Sequence, residues 1–202
     1  MGHKALSGRE NWETESGKKA LNAEQNLIKA FEKHFENTDY EIIDHPTQLK
    51  NLYSQVQLSP DEIEQIYNPD IDISKKEWGV SPDFAIKNKK SGKILFGEIK
   101  RQDGWVEGKD PSAGRGNAHE RLCKLFTPGL LKTYKVISHI DEPFFLPFWV
   151  VFQGDITRDP KRVREITYWF DVYKGNYFFW RPNMTDIDLI EFFEKWIKRH
   201  LN

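Results

Sequence analysis

The stretch Pro82–Lys100, PDFAIKNKKSGKILFGEIK, decides how the rest of this 202-residue chain is read. Phe84, Ala85 and Ile86 read as one short strand, and Ile94, Leu95 and Phe96 lead into another. Asn88 to Gly92 supplies the polar, glycine-containing turn of a β-hairpin between them. With the turn centred between Lys90 and Ser91, antiparallel partners have residue numbers that sum to 181, which sets Asp83 opposite Glu98. Opposed residues share one face of the sheet with Cβ atoms about 4.5–5.5 Å apart, and like charges placed so are destabilising. Such a pair calls for a cation between the carboxylates.

A divalent metal and Lys100 are the candidates. Lys100 lies two residues beyond Glu98, hence on the same face of its strand. It sits on the diagonal from Asp83, roughly 7–8 Å away at the backbone. Asp83, Glu98 and the carbonyl of Ile99 make an oxygen-rich set suited to Mg2+, and such a set beside a lysine suits phosphodiester hydrolysis. The same spacing also describes a weak ion pair on a solvated strand. Pro-Asp recurs at Pro60-Asp61 and Pro69-Asp70, but only Asp83 opens an apolar run able to pair with the Glu98 strand.

The length suits a single domain, residues 1–202, with the polar first eighteen residues as an N-terminal arm. Seven Trp, seven Tyr and fourteen Phe forecast an aromatic core. One cysteine, Cys123, excludes an internal disulfide framework and a cysteine-based zinc site; it reads as an inert buried thiol of a reducing cytosol. The longest apolar run, Phe144 to Phe152, is interrupted by Pro147 and is too short to span a bilayer. A soluble, cytoplasmic protein with no membrane partner is therefore expected. The net charge of −1 argues against coating nucleic acid by bulk charge, so any DNA binding must rest on local basic clusters.

Along the chain, the spacing of Leu21, Leu27, Ile28, Phe31 and Phe35 predicts a helix from Lys19 to about Glu36, and Tyr40–Ile43 a strand. Leu49 to Tyr67 reads as helical, with a start signal at Ser59-Pro60-Asp61, and His119 to Tyr134 as helical with a break at Thr127-Pro128-Gly129. Leu146–Gln153 reads as a strand buried on both faces. A basic cluster follows at Arg158, Lys161, Arg162 and Arg164. Ile166–Tyr173 and Asn176–Trp180 are expected to form a hairpin, and Ile187–His200 a closing amphipathic helix. Phe31, Phe35, Phe192 and Trp196 are candidate core. The fold class is α/β, a mixed central sheet flanked by helices.

A second basic cluster lies in the long loop after Lys100, RQDGWVEGKDPSAGRGNAHER. Loops of this length in a compact domain are functional or disordered. Here Arg115, Asn117 and Arg121 crowd into seven residues, with Gly114 and Gly116 between and before them. Arginine pairs with guanine, asparagine with adenine, and the small Ala118 can approach a thymine methyl. An exposed flexible loop would have the same composition. No phosphate-binding Gly-Lys-Ser/Thr loop or dinucleotide fingerprint is present, and Cys123 stands where a zinc-protease helix needs its second histidine. The six histidines are scattered and none is expected to bind metal.

The segment PDFAIKNKKSGKILFGEIK matches the PD-(D/E)xK nuclease motif, and GRGNAHER after it resembles the EcoRI group of type II restriction endonucleases. A closer likeness, to the MunI-like restriction endonucleases, runs over nearly the whole chain. It is densest in WGVSPDFAI, KILFGEIKRQDGWVEGKDPSAGRGNAHER, KLFTPGLLK and GDITRDPKRVREIT. The resemblance implies a restriction-endonuclease-like core with Asp83, Glu98 and Lys100 catalytic. Asn117, Ala118 and Arg121, beside Gly116, would read an inner AATT, and Arg115 the outer C:G pair. It also implies Mg2+, a homodimer on double-stranded DNA, cleavage at CAATTG leaving 5′-AATT ends with 5′-phosphates, and a methyltransferase that protects the host. A structure-specific or repair nuclease of the same fold, or a DNA-binding module without catalysis, are the alternatives.

Overall fold

The computed structural model describes residues 4–66, 78–104, 106 and 120–202, with side chains described at Lys18 and from Leu21 onward within those segments. Its centre is a five-stranded sheet in sequential order, β1 (Tyr40–Asp44), β2 (Phe84–Asn88), β3 (Ile94–Arg101), β4 (Phe148–Gln153) and β5 (Tyr177–Trp180). The pairs β1–β2 and β2–β3 are antiparallel, while β3–β4 and β4–β5 are parallel. The mixed α/β class expected from the sequence is what forms. The hairpin register is the expected one: Phe84 faces Gly97, Ala85 faces Phe96, Ile86 faces Leu95 and Lys87 faces Ile94.

Alternation along these strands separates two cores. Phe84, Ile86, Leu95, Ile99, Trp149, Val151, Phe178 and Trp180 point to one face, where α1 (Lys4–Phe35) contributes Leu27, Phe31 and Phe35. The closing helical segment adds Leu189, Phe193, Ile197 and Leu201 on that side. It is built from α5 (Asp186–Phe192), a π turn at Phe193–Ile197 and α6 (Lys198–Leu201). Ala85, Phe96, Phe148, Val150, Phe152 and Phe179 point the other way, against α3 (Pro128–Ser138) and α4 (Pro160–Phe170). β4, buried at every position, is the strand covered on both faces that its unbroken apolar run foretold.

Several expectations are corrected. The first helix starts at Lys4 rather than Lys19, so residues 4–18 have helical backbone. The Leu49–Tyr67 helix shrinks to α2 (Pro60–Ile66), where Ser59 and Glu62 form a reciprocal cap: the Ser59 N–H donates to Glu62 Oε2 at 2.8 Å and the Glu62 N–H to Ser59 Oγ at 3.3 Å. Ile166–Phe170 is helix, not the first strand of a hairpin. Asp159 caps α4 by accepting the N–H groups of Lys161 and Arg162, Pro160 suits its first turn, and Arg162, Ile166 and Phe170 recur at helical spacing on its buried side. The Asn176–Trp180 segment yields β5, which joins β4 in parallel instead. In the closing helix Phe193 holds the buried position, with Phe192 and Trp196 packed beside it. Cys123 is exposed, since Leu122 and Leu125 take the buried positions of its short 3-10 segment, Glu120–Phe126.

No helix among the described residues is long and apolar enough to cross a membrane.

Candidate active site

At the end of the hairpin the ladder gives way to a side-chain interaction. The Asp83 N–H donates to the Gly97 carbonyl at 3.0 Å, and its Oδ2 accepts the Ile99 N–H at 2.6 Å. Gly97 makes this possible. A Cβ there would lie 2.1 Å from Cζ of Phe84, so only glycine lets the Phe84 ring pass across β3 and hold the Pro-Asp turn against it. His45, just past β1, braces the other side with an N–H to the Asp83 carbonyl at 3.2 Å, and its φ of 43° is left-handed.

Lys100 Nζ is 2.5 Å from Glu98 Oε2 and 3.5 Å from Asp83 Oδ2, so the structure brings together the three side chains that the hairpin register places on one face. Glu98 is 5% exposed. Its Oε1 is buried with no hydrogen-bond partner among the described residues. Burial pushes the Glu98 carboxyl above the ordinary glutamate value, and Asp83 adds to that shift against the pull of Lys100. For Lys100, burial works to lower its pKa but is outweighed by Glu98 and Asp83, and the ammonium is held above its usual range. Beneath them Tyr134 packs edge-on against Phe96 with ring centroids 5.2 Å apart. Its phenol is pushed up by burial and by Glu98.

Two carboxylates, one of them with an orphaned buried oxygen, fit a hard divalent cation, because a bare anionic oxygen out of water is costly until a positive charge reaches it. Ile99 also fits: the N–H and C=O of one strand residue face the same side, and its N–H is directed at Asp83.

Of the residues expected to read DNA, Arg115, Gly116, Asn117 and Ala118 lie outside the described residues, as do His119 and the Pro69-Asp70 pair. Arg121 is exposed on the 3-10 segment that leads into α3. The later basic cluster is less available than its composition suggests. Arg162 is 7% exposed and paired with Glu165 at 2.6 Å, and Arg158 pairs with Asp155 at 2.7 Å; Lys161 and Arg164 are exposed.

Sequence reading missed the surroundings of Asp83. Glu24 on α1, Asp44 and His45 bring ligand-type atoms within 4.8 Å of one another. Burial and the neighbouring Asp83 raise the Glu24 carboxyl. Hydrogen bonding to Asp44 raises His45, favouring an imidazolium that lies 2.6 Å from Asp44 and 3.4 Å from Glu24 and offsets part of their negative charge. The only local signal was Asp44-His45-Pro46 after a strand; Glu24 reaches it from another element.

The chain matches, over residues 1–202, the family model described as type II restriction enzyme MunI. The curated type II restriction enzyme MunI from Mycoplasma sp is 62% identical over 202 residues, which is 100% of both chains. The chain belongs to the MunI family of type II restriction enzymes. The crystal structure of MunI restriction endonuclease in complex with cognate DNA superposes with a TM-score of 0.80 at 61% identity, covering 95% of this chain and 98% of that one. Members of the MunI family are site-specific endonucleases, and the mixed sheet described above is their fold.

Proposed function

We propose that this chain is a Mg2+-dependent restriction endonuclease that cuts both strands of DNA at a palindrome, CAATTG, leaving 5′-AATT ends with 5′-phosphates. The observation that carries the reading is the convergence of Asp83, Glu98 and Lys100 on one sheet face with Glu98 Oε1 unpartnered. The MunI structure with cognate DNA supports DNA as substrate, and the closeness of the relationship supports the site.

Asp83, Glu98 and the Ile99 carbonyl would hold Mg2+. Bound there, the ion supplies charge neutralisation at the scissile phosphate and makes a water more acidic. The protein's own groups do the rest. The Ile99 N–H fixes the Asp83 carboxylate, so its position is preset rather than found during the reaction. Lys100, held protonated by the two acids, places a positive charge where phosphate oxygens gain negative charge and can donate a proton from Nζ. Arg115, Asn117 and Arg121, with Gly116 and Ala118, would read base edges. A palindrome calls for a two-fold homodimer with one centre and one half-site reader per subunit. A cytoplasmic location beside a protecting methyltransferase completes the reading.

Supercoiled plasmid incubated with the protein in Mg2+ or in EDTA, followed by sequencing of the ends, tests it. Discrete fragments with identical four-base 5′ extensions, formed only with the metal, are expected. Uncut DNA, or nicks placed by DNA structure, would overturn the proposal.

A further inference from the structure

The hydroxyl of Tyr134, like Glu98 Oε1, is buried with no hydrogen-bond partner among the described residues. Tyr134 is 1% exposed. It sits in the buried row of α3, between Leu130 and Ser138, and its ring stands edge-on to Phe96 with centroids 5.2 Å apart and to Phe148 at 6.1 Å. Phe96 and Phe148 are paired across β3 and β4, and Glu98 follows Phe96 on the same face of β3. The helix thus sets the Tyr134 ring on the residue next to Glu98 along that face. Of the two acids of the site, Glu98 acts on the phenol more strongly than Asp83.

The ring alone would serve the core as phenylalanine does. The hydroxyl is an addition that destabilises the fold when taken out of water without a partner. Glu98 Oε1 has the complementary deficit, because Lys100 Nζ donates to Oε2 and leaves Oε1 in need of a donor. One group lacks an acceptor and the other a donor, and both are shut in between α3 and the sheet. They are not directly bonded to each other. A single buried water spans such a gap with nearly the strength of a direct bond, accepting from the phenol and donating to the carboxylate.

We propose that Tyr134 is a positioning residue of the metal centre: its hydroxyl donates to a buried water that in turn donates to Glu98 Oε1, fixing the carboxylate in the orientation that takes the cation. The inference rests on the endonuclease reading above and adds a residue to its site. A carboxylate oxygen has two lone pairs, so Oε1 can accept from the water with one and meet the ion with the other. Groups that hold a metal ligand in this way govern affinity for the ion by about 10–100-fold. Tyr134 acts through Glu98 and needs no contact with DNA.

The test uses Tyr134→Phe in the full-length protein, which removes the hydroxyl and keeps the ring. Melting curves in EDTA compare it with the wild type, and the comparison is repeated in a Glu98→Ala background. Tyr134→Phe is expected to lower the melting temperature by about 2–4 °C in the wild type, and to leave it unchanged or raise it in Glu98→Ala. A rise in the wild-type background would show the hydroxyl to have no partner, and an equal loss in both would give it a partner other than Glu98; either overturns the proposal. The second measurement is calorimetric affinity for Ca2+, a hard cation that also takes oxygen ligands, in the presence of a CAATTG duplex, together with the Mg2+ concentration at half-maximal cleavage. For Tyr134→Phe both midpoints should rise about 10–100-fold, while the cleavage rate at saturating Mg2+ stays near the wild-type rate. Unchanged midpoints would overturn the proposal, whatever happens to the rate. This measurement needs only the single variant, so it decides the matter if the Glu98→Ala proteins fail to fold. A wild type that takes up no Ca2+ and cuts no DNA in Mg2+ would instead refute the endonuclease reading, and this inference with it.

Discussion

Glu98 shows what the candidate site costs the fold. Its carboxyl holds a proton more tightly in the folded chain than in the unfolded one, because it is buried beside Asp83. By linkage, its contribution to stability is fully present below the ordinary glutamate pKa and is lost as pH rises through the raised folded value. Glu98→Gln removes that loss. In EDTA, the melting temperature of wild type relative to Glu98→Gln should therefore fall between acidic and neutral pH, and saturating Mg2+ should raise the wild type at neutral pH while leaving the variant nearly unmoved. Melting curves across pH check both, and a constant difference would show that Glu98 does not titrate in this window. The opposition of Asp83 to Glu98 is legible in the residue numbers alone, since strand pairing has a fixed arithmetic. The brace from His45 and the proximity of Glu24 are not, because contacts between separate elements leave no trace in local spacing.

At the scale of elements, the hairpin and β4 were legible and the segment after β4 was not. Ile166–Tyr173 is rich in aromatic and branched residues, which suit strands, yet the Asp159-Pro160 start and the buried row of Arg162, Ile166 and Phe170 make it helix as far as Phe170. Composition and periodicity disagreed there, and periodicity with a cap prevailed. Arg162 shows the consequence for function: a member of the basic cluster on which DNA binding could have rested belongs to the buried side of α4. The β2–β3 hairpin gives a sharper test of how element and site are joined. Gly97→Ala would drive a methyl into the Phe84 ring, and overpacking of this kind costs about 1–3 kcal/mol. Urea titration should show that loss, and cleavage should drop with it because the displaced Phe84 carries the Pro-Asp turn. A Gly97→Ala protein with wild-type stability and cleavage would show that the close approach at Gly97 does not hold the site.

For the whole molecule, the α/β class was legible from alternating elements, whereas the sequential order of the sheet emerges from long-range pairing that no local pattern encodes. Under the proposed function each subunit is one cutting centre in a two-fold dimer, and a mixed dimer isolates that claim. Subunits of wild type and Lys100→Ala, carrying different affinity tags, can be co-expressed and the heterodimer purified by two successive columns. Each wild-type subunit should cut its own strand, while its partner, lacking the Lys100 charge, should cut about 10²–10³-fold more slowly. Supercoiled plasmid with one CAATTG site, treated with the heterodimer in Mg2+, should accumulate as nicked circle, with linear product appearing only on the slow timescale of the Lys100→Ala homodimer. Linearisation as fast as by the wild-type homodimer would contradict the assignment of Lys100 to the cutting centre.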